Sequence, residues 1–208
     1  MFKLNRLTTS LYAKVRMLIK TQEILASFSL PVPEEPGDSP FQLPGITSGY
    51  LKYGLYSRRT IFFHAFYKAY DLEAFKADIR NARILADILT HLLKYFIPNP
   101  AAWTIITTPK RAHTERLGYH FASEVLKITS AETGITFLED VIGAKDKNKI
   151  EPVFFQLKPI PTKTNLIIFD DIFTTGKTIY ATLDVLKQNP ENALQNTNPL
   201  IIIAVNNN

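Results

Sequence analysis

Cysteine is missing altogether from these 208 residues, so no disulfide framework, thiolate zinc site or cysteine nucleophile is available. Long apolar runs are missing too, and none reaches the roughly 18 residues that a transmembrane helix requires. Residues 1–20 scatter Lys3, Arg6, Lys14, Arg16 and Lys20 among apolar positions instead of preceding an unbroken hydrophobic stretch, which argues against a cleaved secretory signal. The expected location is the cytoplasm. Acidic residues are the minority charge: 19 Asp and Glu face 24 Lys and Arg, for a formal charge of +5. That balance favours anionic partners without choosing among a nucleotide phosphate, a nucleic acid and a membrane surface.

What is present suits one globular unit, since 46% of the residues are hydrophobic and no internal repeat interrupts them. Phe2, Leu4, Leu7, Leu11, Val15, Leu18 and Ile19 recur at near-helical intervals with basic residues between them. We read a helix over residues 2–28 packed on the body of the protein, in preference to one lying on a membrane surface. Pro31, Pro33, Pro36, Pro40 and Pro44, with Gly37 and Gly45, exclude a continuous helix or central strand and indicate a linker or surface loop. Residues 50–70 mix Tyr50, Tyr53, Tyr56, Phe62, Phe63, Phe66, Tyr67 and Tyr70 with Lys52, Arg58, Arg59 and Lys68. Such a mix occurs on single-strand nucleic-acid platforms, but core and sheet-face aromatics account for it more simply.

Asp71 as N-cap opens a predicted amphipathic helix through Leu72, Phe75, Ile79, Ala82, Leu85, Ile88, Leu89, Leu92 and Phe96, which Pro98 and Pro100 end. Beyond it the pattern alternates. A strand is expected over Trp103–Thr107, a helix near Thr114–Thr133 closed by Gly134, and a strand over Ile135–Leu138. A polar, lysine-bearing stretch follows, then a strand over Asn165–Phe169, a helix over Thr178–Lys187 and a strand over Leu200–Val205. Strands and helices in alternation imply an α/β fold: a mostly parallel sheet flanked by helices. Asn206, Asn207 and Asn208 look like a frayed end.

The chemistry concentrates between Asn165 and Thr178. Four apolar residues lead to Asp170 and Asp171, then to Thr174, Thr175, Gly176, Lys177 and Thr178 at the start of a helix. In an open α/β sheet, ligands sit beyond the carboxyl ends of the strands, where this turn falls. Hydroxyls from Thr174, Thr175 and Thr178, close approach at Gly176 and the unpaired N–H groups of a helix N-terminus suit a phosphate. The carboxylates of Asp170 and Asp171 suit sugar hydroxyls or Mg²⁺. Together they describe a phosphorylated sugar. Gly176-Lys177-Thr178 also reproduces the end of a nucleotide P-loop, but the position of that motif's first glycine holds Asp171.

Four apolar residues, Asp-Asp, two residues and Thr-Thr-Gly-x-Thr resemble the motif that binds 5-phosphoribosyl 1-diphosphate (PRPP) in type I phosphoribosyltransferases. The resemblance implies that Asp170 and Asp171 hold the ribose hydroxyls and Mg²⁺, and that Thr174, Thr175, Gly176, Lys177 and Thr178 hold the 5′-phosphate. Upstream, Thr108-Pro109-Lys110-Arg111 stands where the family has a loop contacting diphosphate, with Lys110 and Arg111 as its cations. Arg116, Gly118, Tyr119, His120 and Ala122 are similar to a segment of the ComF-like (competence-protein) members, with His120 in place of asparagine. We read His120 as structural, with proton donation as its alternative role. The match spans residues 85–188.

The chain departs from that subfamily in having no N-terminal cysteine zinc module. Thr174 stands where 6-oxopurine enzymes place a base-directed aspartate, which argues against hypoxanthine or guanine salvage. The resemblance implies a variable hood over residues 1–70, a phosphoribosyltransferase-like domain over residues 71–208, and a mobile flap carrying Lys145, Lys147 and Lys149, which either close over the diphosphate or form a solvated lysine-rich loop. It implies transfer of phosphoribose to a nitrogen acceptor, which needs charge stabilisation and positioning more than a covalent nucleophile, with Asp170, Asp171, Lys110 and Arg111 acting at the breaking C1–diphosphate bond. The alternative is a PRPP-binding regulatory or DNA-uptake-associated protein without transferase activity. The acceptor, contact with nucleic acid and homodimer formation stay open.

Overall fold

A computed structural model describes residues 42–43, 46–53, 56–63, 75–110, 116–145, 153–162, 164–173, 175–189 and 200–206; in the first three segments and the last, only the course and pairing of the backbone are described. The predicted helix over residues 2–28, the cap at Asp71, Phe66, Tyr67, Tyr70, Arg111, Lys147, Lys149, Thr174, Asn207 and Asn208 lie outside the described residues.

The described strands are β1 (Gln42–Leu43), β2 (Ile46–Tyr53), β3 (Tyr56–Phe63), β4 (Trp103–Thr107), β5 (Thr136–Phe137), β6 (Ile142–Lys145), β7 (Val153–Gln156), β8 (Asn165–Phe173) and β9 (Leu200–Asn206). The helices are α1 (Asn81–Phe96), α2 (Phe121–Thr133) and α3 (Lys177–Gln188). One sheet runs in the order β1-β2-β3-β9-β8-β4-β5. From β3 through β9, β8 and β4 to β5 every neighbouring pair is parallel, and β2 and β1 add an antiparallel margin. The mostly parallel α/β architecture expected from the alternating pattern is present. Tyr50, Tyr53, Tyr56, Phe62 and Phe63 lie on β2 and β3, so strands from both sides of residue 70 share this sheet.

The core divides by strand alternation. Ile105, Ile167 and Phe169 pack with Leu85, Leu89, Phe121 and Val125 of α1 and α2. Ile106, Leu166 and Ile168 pack with Ile179, Leu183 and Leu186 of α3. Odd positions of β8 thus face α1 and α2, and even positions face α3, as the two-residue period of a strand requires. No described helix is long and apolar enough to cross a membrane.

Four expectations need correction. The first long helix is interrupted: Phe75 and Lys76 are helical, residues 77–80 form turns where the Asp78 carboxylate accepts hydrogen bonds from the backbone N–H and guanidinium of Arg80, and the helix resumes at Asn81. A short acidic side chain competing for local N–H groups interrupts a helix in this way. The second helix begins at Phe121: Gly118 has φ 76°, a left-handed conformation that breaks the turn at residues 116–117, and His120 is extended. Strand β8 continues through Asp170 and Asp171 to Phe173, because β9 keeps pairing with it as far as Phe173 opposite Asn206, across a register shift. The polar stretch after β5 contains an antiparallel pair, β6 with β7. Its alternation was hidden by Gly143 and Lys145, although Gly143 admits the Phe155 ring to within 2.7 Å of where a Cβ would stand.

Leu89 is fully buried in α1, whereas Ile79, just before that helix, is 46% exposed. Leu89→Ala is expected to cost about 2–5 kcal/mol and Ile79→Ala less than about 1 kcal/mol, measured by urea unfolding.

Candidate functional site

The connections leaving β4 and β8 diverge. From β4 the chain passes through α2 to β5 at one edge, and from β8 it passes through α3 to β9 on the other side. Because α2 and α3 cover opposite faces, the carboxyl ends of β4 and β8 flank a topological switch point. In an open α/β sheet adjacent loops part at such a point, and ligands usually sit between them. The expected site residues Thr108, Asp170 and Asp171 all stand at these two strand ends.

Asp170 and Asp171 are both buried, at 7% and 6% exposure. Asp170 continues the even positions of β8 that face α3, and Asp171 lies in the register shift between Asp170 and Phe173, where it meets the segment before α1. Their partners differ accordingly. Thr108 Oγ1 donates to Asp170 Oδ1 at 3.1 Å, and the backbone N–H of Thr108 donates to the Phe169 carbonyl at 3.2 Å, which ties the two strand ends together. Asp171 Oδ2 lies 2.5 Å from Lys76 Nζ, in an ion pair whose side chains are 9% and 6% exposed.

Burial pushes the Asp170 carboxyl from 3.8 to about 7, and the nearby Asp171 charge adds to the effect; Lys76, the Thr108 hydroxyl and the backbone N–H of Ile172 oppose it. A buried carboxyl beside a second one gives up its proton reluctantly because water is excluded and the neighbouring carboxylate repels the new anion more than Lys76 attracts it. Both acids and the Thr108 hydroxyl are oxygen donors, so the set suits a hard cation such as Mg²⁺, held by one or two carboxylates with phosphate oxygens completing its shell.

The turn that follows opens α3. Gly176 is the N-cap residue with φ 74°, and a Cβ there would meet Phe173 Cε2 at 3.0 Å and Cζ at 3.1 Å, and Tyr180 Cε2 at 3.1 Å. Only glycine takes this conformation without both strain and collision. Thr175 and Lys177 are exposed and Thr178 is half-buried; the Thr178 carbonyl accepts from Thr182 Oγ1 at 2.8 Å.

Lys110 is turned elsewhere. Its ammonium pairs with Asp140 Oδ1 at 2.8 Å and Glu139 Oε1 at 3.4 Å, beyond β5 and on the far side of β4 from β8. Burial pulls its pKa down, but Asp140 and Glu139 together outweigh that and leave it raised. Lys145 ends β6 with its ammonium 5.4 Å from the centre of the Phe155 ring. His120 is buried, with Nδ1 2.9 Å from Ser123 Oγ, a contact in keeping with its structural reading. The residue missed from sequence is Lys76. Its signal was its place four residues after Leu72 and next to Phe75, a lysine within the apolar stripe of a predicted helix.

No protein-family model matches the chain, and no curated protein matches its sequence.

Two measurements test this geometry. Gly176→Ala is expected to destabilise by on the order of 1–3 kcal/mol in urea unfolding, from left-handed strain and ring contact. Because the folded-state pKa of Asp170 is raised, its contribution to stability is full below about pH 4 and is lost as pH rises through about 7. Asp170→Asn is therefore expected to remove part of the fall in melting temperature between pH 4 and 8 and to stabilise the protein at pH 8. An unchanged pH profile in the variant contradicts the assignment.

Proposed function

We propose that this chain binds PRPP with Mg²⁺ and transfers its phosphoribosyl group to a nitrogen acceptor with release of diphosphate, on a type I phosphoribosyltransferase-like fold. The observation that carries the reading is the placement of Asp170 and Asp171 at the switch point between β4 and β8, with Gly176 opening α3 directly beyond. Sugar-directed carboxylates and a phosphate-directed helix start then fall within one turn of each other, as PRPP requires.

In this reading Asp170 and Asp171 accept hydrogen bonds from the ribose hydroxyls, and their negative charge lies near the sugar carbon as positive charge develops on it. Thr175, Gly176, Lys177 and Thr178, joined by Thr174, receive the 5′-phosphate. The loop that begins at Thr108 would receive the diphosphate, with Arg111 as its cation and Lys110 available only on leaving Glu139 and Asp140. Mg²⁺ bound at the carboxylates would neutralise the departing diphosphate. The C1–oxygen bond breaks with its electron pair leaving on diphosphate, and the acceptor nitrogen supplies the pair for the new C1–nitrogen bond. Positioning carries much of such a reaction, and no covalent nucleophile is needed.

One observation favours PRPP binding without transfer as a second reading: Lys110 is ion-paired with Glu139 and Asp140, an arrangement that withholds its charge from a leaving diphosphate.

Calorimetric titration of PRPP in Mg²⁺ tests the binding. The native protein is expected to saturate with a single site, and Asp170→Asn/Asp171→Asn to lose at least about tenfold in affinity. Diphosphate release with any nitrogen acceptor supports transfer; saturable binding without release from a broad acceptor panel supports the second reading. Absence of native binding sinks both.

A further inference from the structure

Lys76 is the one described residue at the strand ends that the phosphate and sugar motif does not account for, and it is built in from several directions. Its side chain is 6% exposed, and its ammonium lies 2.5 Å from Asp171 Oδ2. Its backbone carbonyl accepts a hydrogen bond from the Tyr119 hydroxyl. On one side of it Phe75 is buried and packs edge-on against Phe121 with ring centroids 5.5 Å apart. The Phe75 carbonyl in turn accepts from Asn81 Nδ2 at 2.8 Å. The segment is thus pinned to α1, to α2 and to the turn before α2, and the ammonium is aimed at the carboxyl end of β8.

A buried ion pair is a poor device for stability alone, because desolvating both ions offsets most of their attraction. Here the pair joins Asp171 to the segment before α1, whereas the close partner of Asp170 is the Thr108 hydroxyl from the loop after β4. An ammonium 2.5 Å from Asp171 Oδ2 occupies the space from which a divalent metal would bind that oxygen.

We propose that Lys76 is a positioning residue of the sugar site: it serves as the internal counter-cation of Asp171, so that the ribose hydroxyls are received by an oriented carboxylate without a metal on that side. Any Mg²⁺ then belongs to the Asp170 side and the diphosphate. The inference rests on the PRPP reading given above. It adds a residue outside the motif and divides the cation work between lysine and metal.

Ribose 5-phosphate, which has no diphosphate to carry a metal, is the probe, titrated calorimetrically in EDTA and again in Mg²⁺, with inorganic phosphate as the control for the α3 turn. Native protein is expected to bind ribose 5-phosphate equally in EDTA and in Mg²⁺. Lys76→Met is expected to weaken it by roughly tenfold or more, with phosphate affinity unchanged, and Lys76→Arg to restore binding to within a few-fold of native. A purely structural lysine would shift sugar and phosphate affinities together, which overturns the proposal. Equal ribose 5-phosphate affinity in Lys76→Met and native protein also overturns it. Native binding that vanishes in EDTA and returns with Mg²⁺ overturns it without any variant, so a Lys76→Met that fails to fold leaves the test intact. If the native protein binds neither ribose 5-phosphate nor PRPP under any condition, the PRPP reading fails and this inference with it, a result distinct from intact native binding that ignores Lys76.

Discussion

Strand β8 is hydrogen-bonded on both edges, to β4 and to β9, and covered on both faces, by α1 and α2 on one side and α3 on the other. Leu166, Ile167, Ile168 and Phe169 meet that constraint with apolar side chains that are at most 2% exposed. Asp170 and Asp171 arrive while the pairing with β9 still holds, so they enter the same enclosed geometry as charged groups. Successive strand residues tend to face opposite ways, and the two adjacent acids take different close partners, although the Lys76 charge is also felt at Asp170. The loop after β4 serves one face through Thr108. The segment before α1 serves the other through Lys76. The Tyr119 hydroxyl on the Lys76 carbonyl and the Phe75–Phe121 contact hold the second of these partners in place.

Such a site works against the stability of the fold that carries it. A carboxyl pushed to about 7 is a group the folded state would rather keep neutral, and a left-handed Gly176 hemmed by Phe173 and Tyr180 trades conformational freedom for close approach at the start of α3. The two apolar clusters on either face of the sheet offset these costs, since fully buried residues such as Leu85, Leu89, Phe121 and Phe169 on one face and Ile168, Ile179 and Leu186 on the other are removed from water. Local rules are commonly broken where a protein acts, and the carboxyl ends of the central strands hold such a breach.

Beyond β5 a second charged group has formed around Glu139 and Asp140. Lys110 and Lys127 reach the Glu139 carboxylate at 3.4 and 3.7 Å, and Lys158 donates to the Glu139 carbonyl at 2.6 Å. In a chain of net charge +5, two acids that gather three lysines neutralise part of the basic surface beside the switch point. The cations expected to meet diphosphate are consequently not all presented at the same crevice, and Lys110 in particular belongs to this cluster as it stands.

Trp103–Thr107 was legible to the residue, and the last helix and strand nearly so, because dense apolar patterning in a buried parallel strand leaves few alternatives. The breaks at residues 77–80 and at Gly118 were not, since an Asp78 carboxylate folding back on Arg80 and one positive φ leave the helical spacing of apolar residues unaltered. The β6–β7 pair was missed because glycine and lysine diluted its short alternation. By itself the sequence determined the alternation of strand and helix and the succession of apolar strand, two acids, hydroxyl-rich turn and helix, since periodicity and turn chemistry act over a few neighbouring residues. Only the tertiary structure decided which face each acid takes, that Thr108 meets Asp170, that Lys76 meets Asp171 and that Lys110 turns to Glu139 and Asp140. Those pairings join residues far apart in the chain, and strand order and register, not any local pattern, bring them within reach of one another.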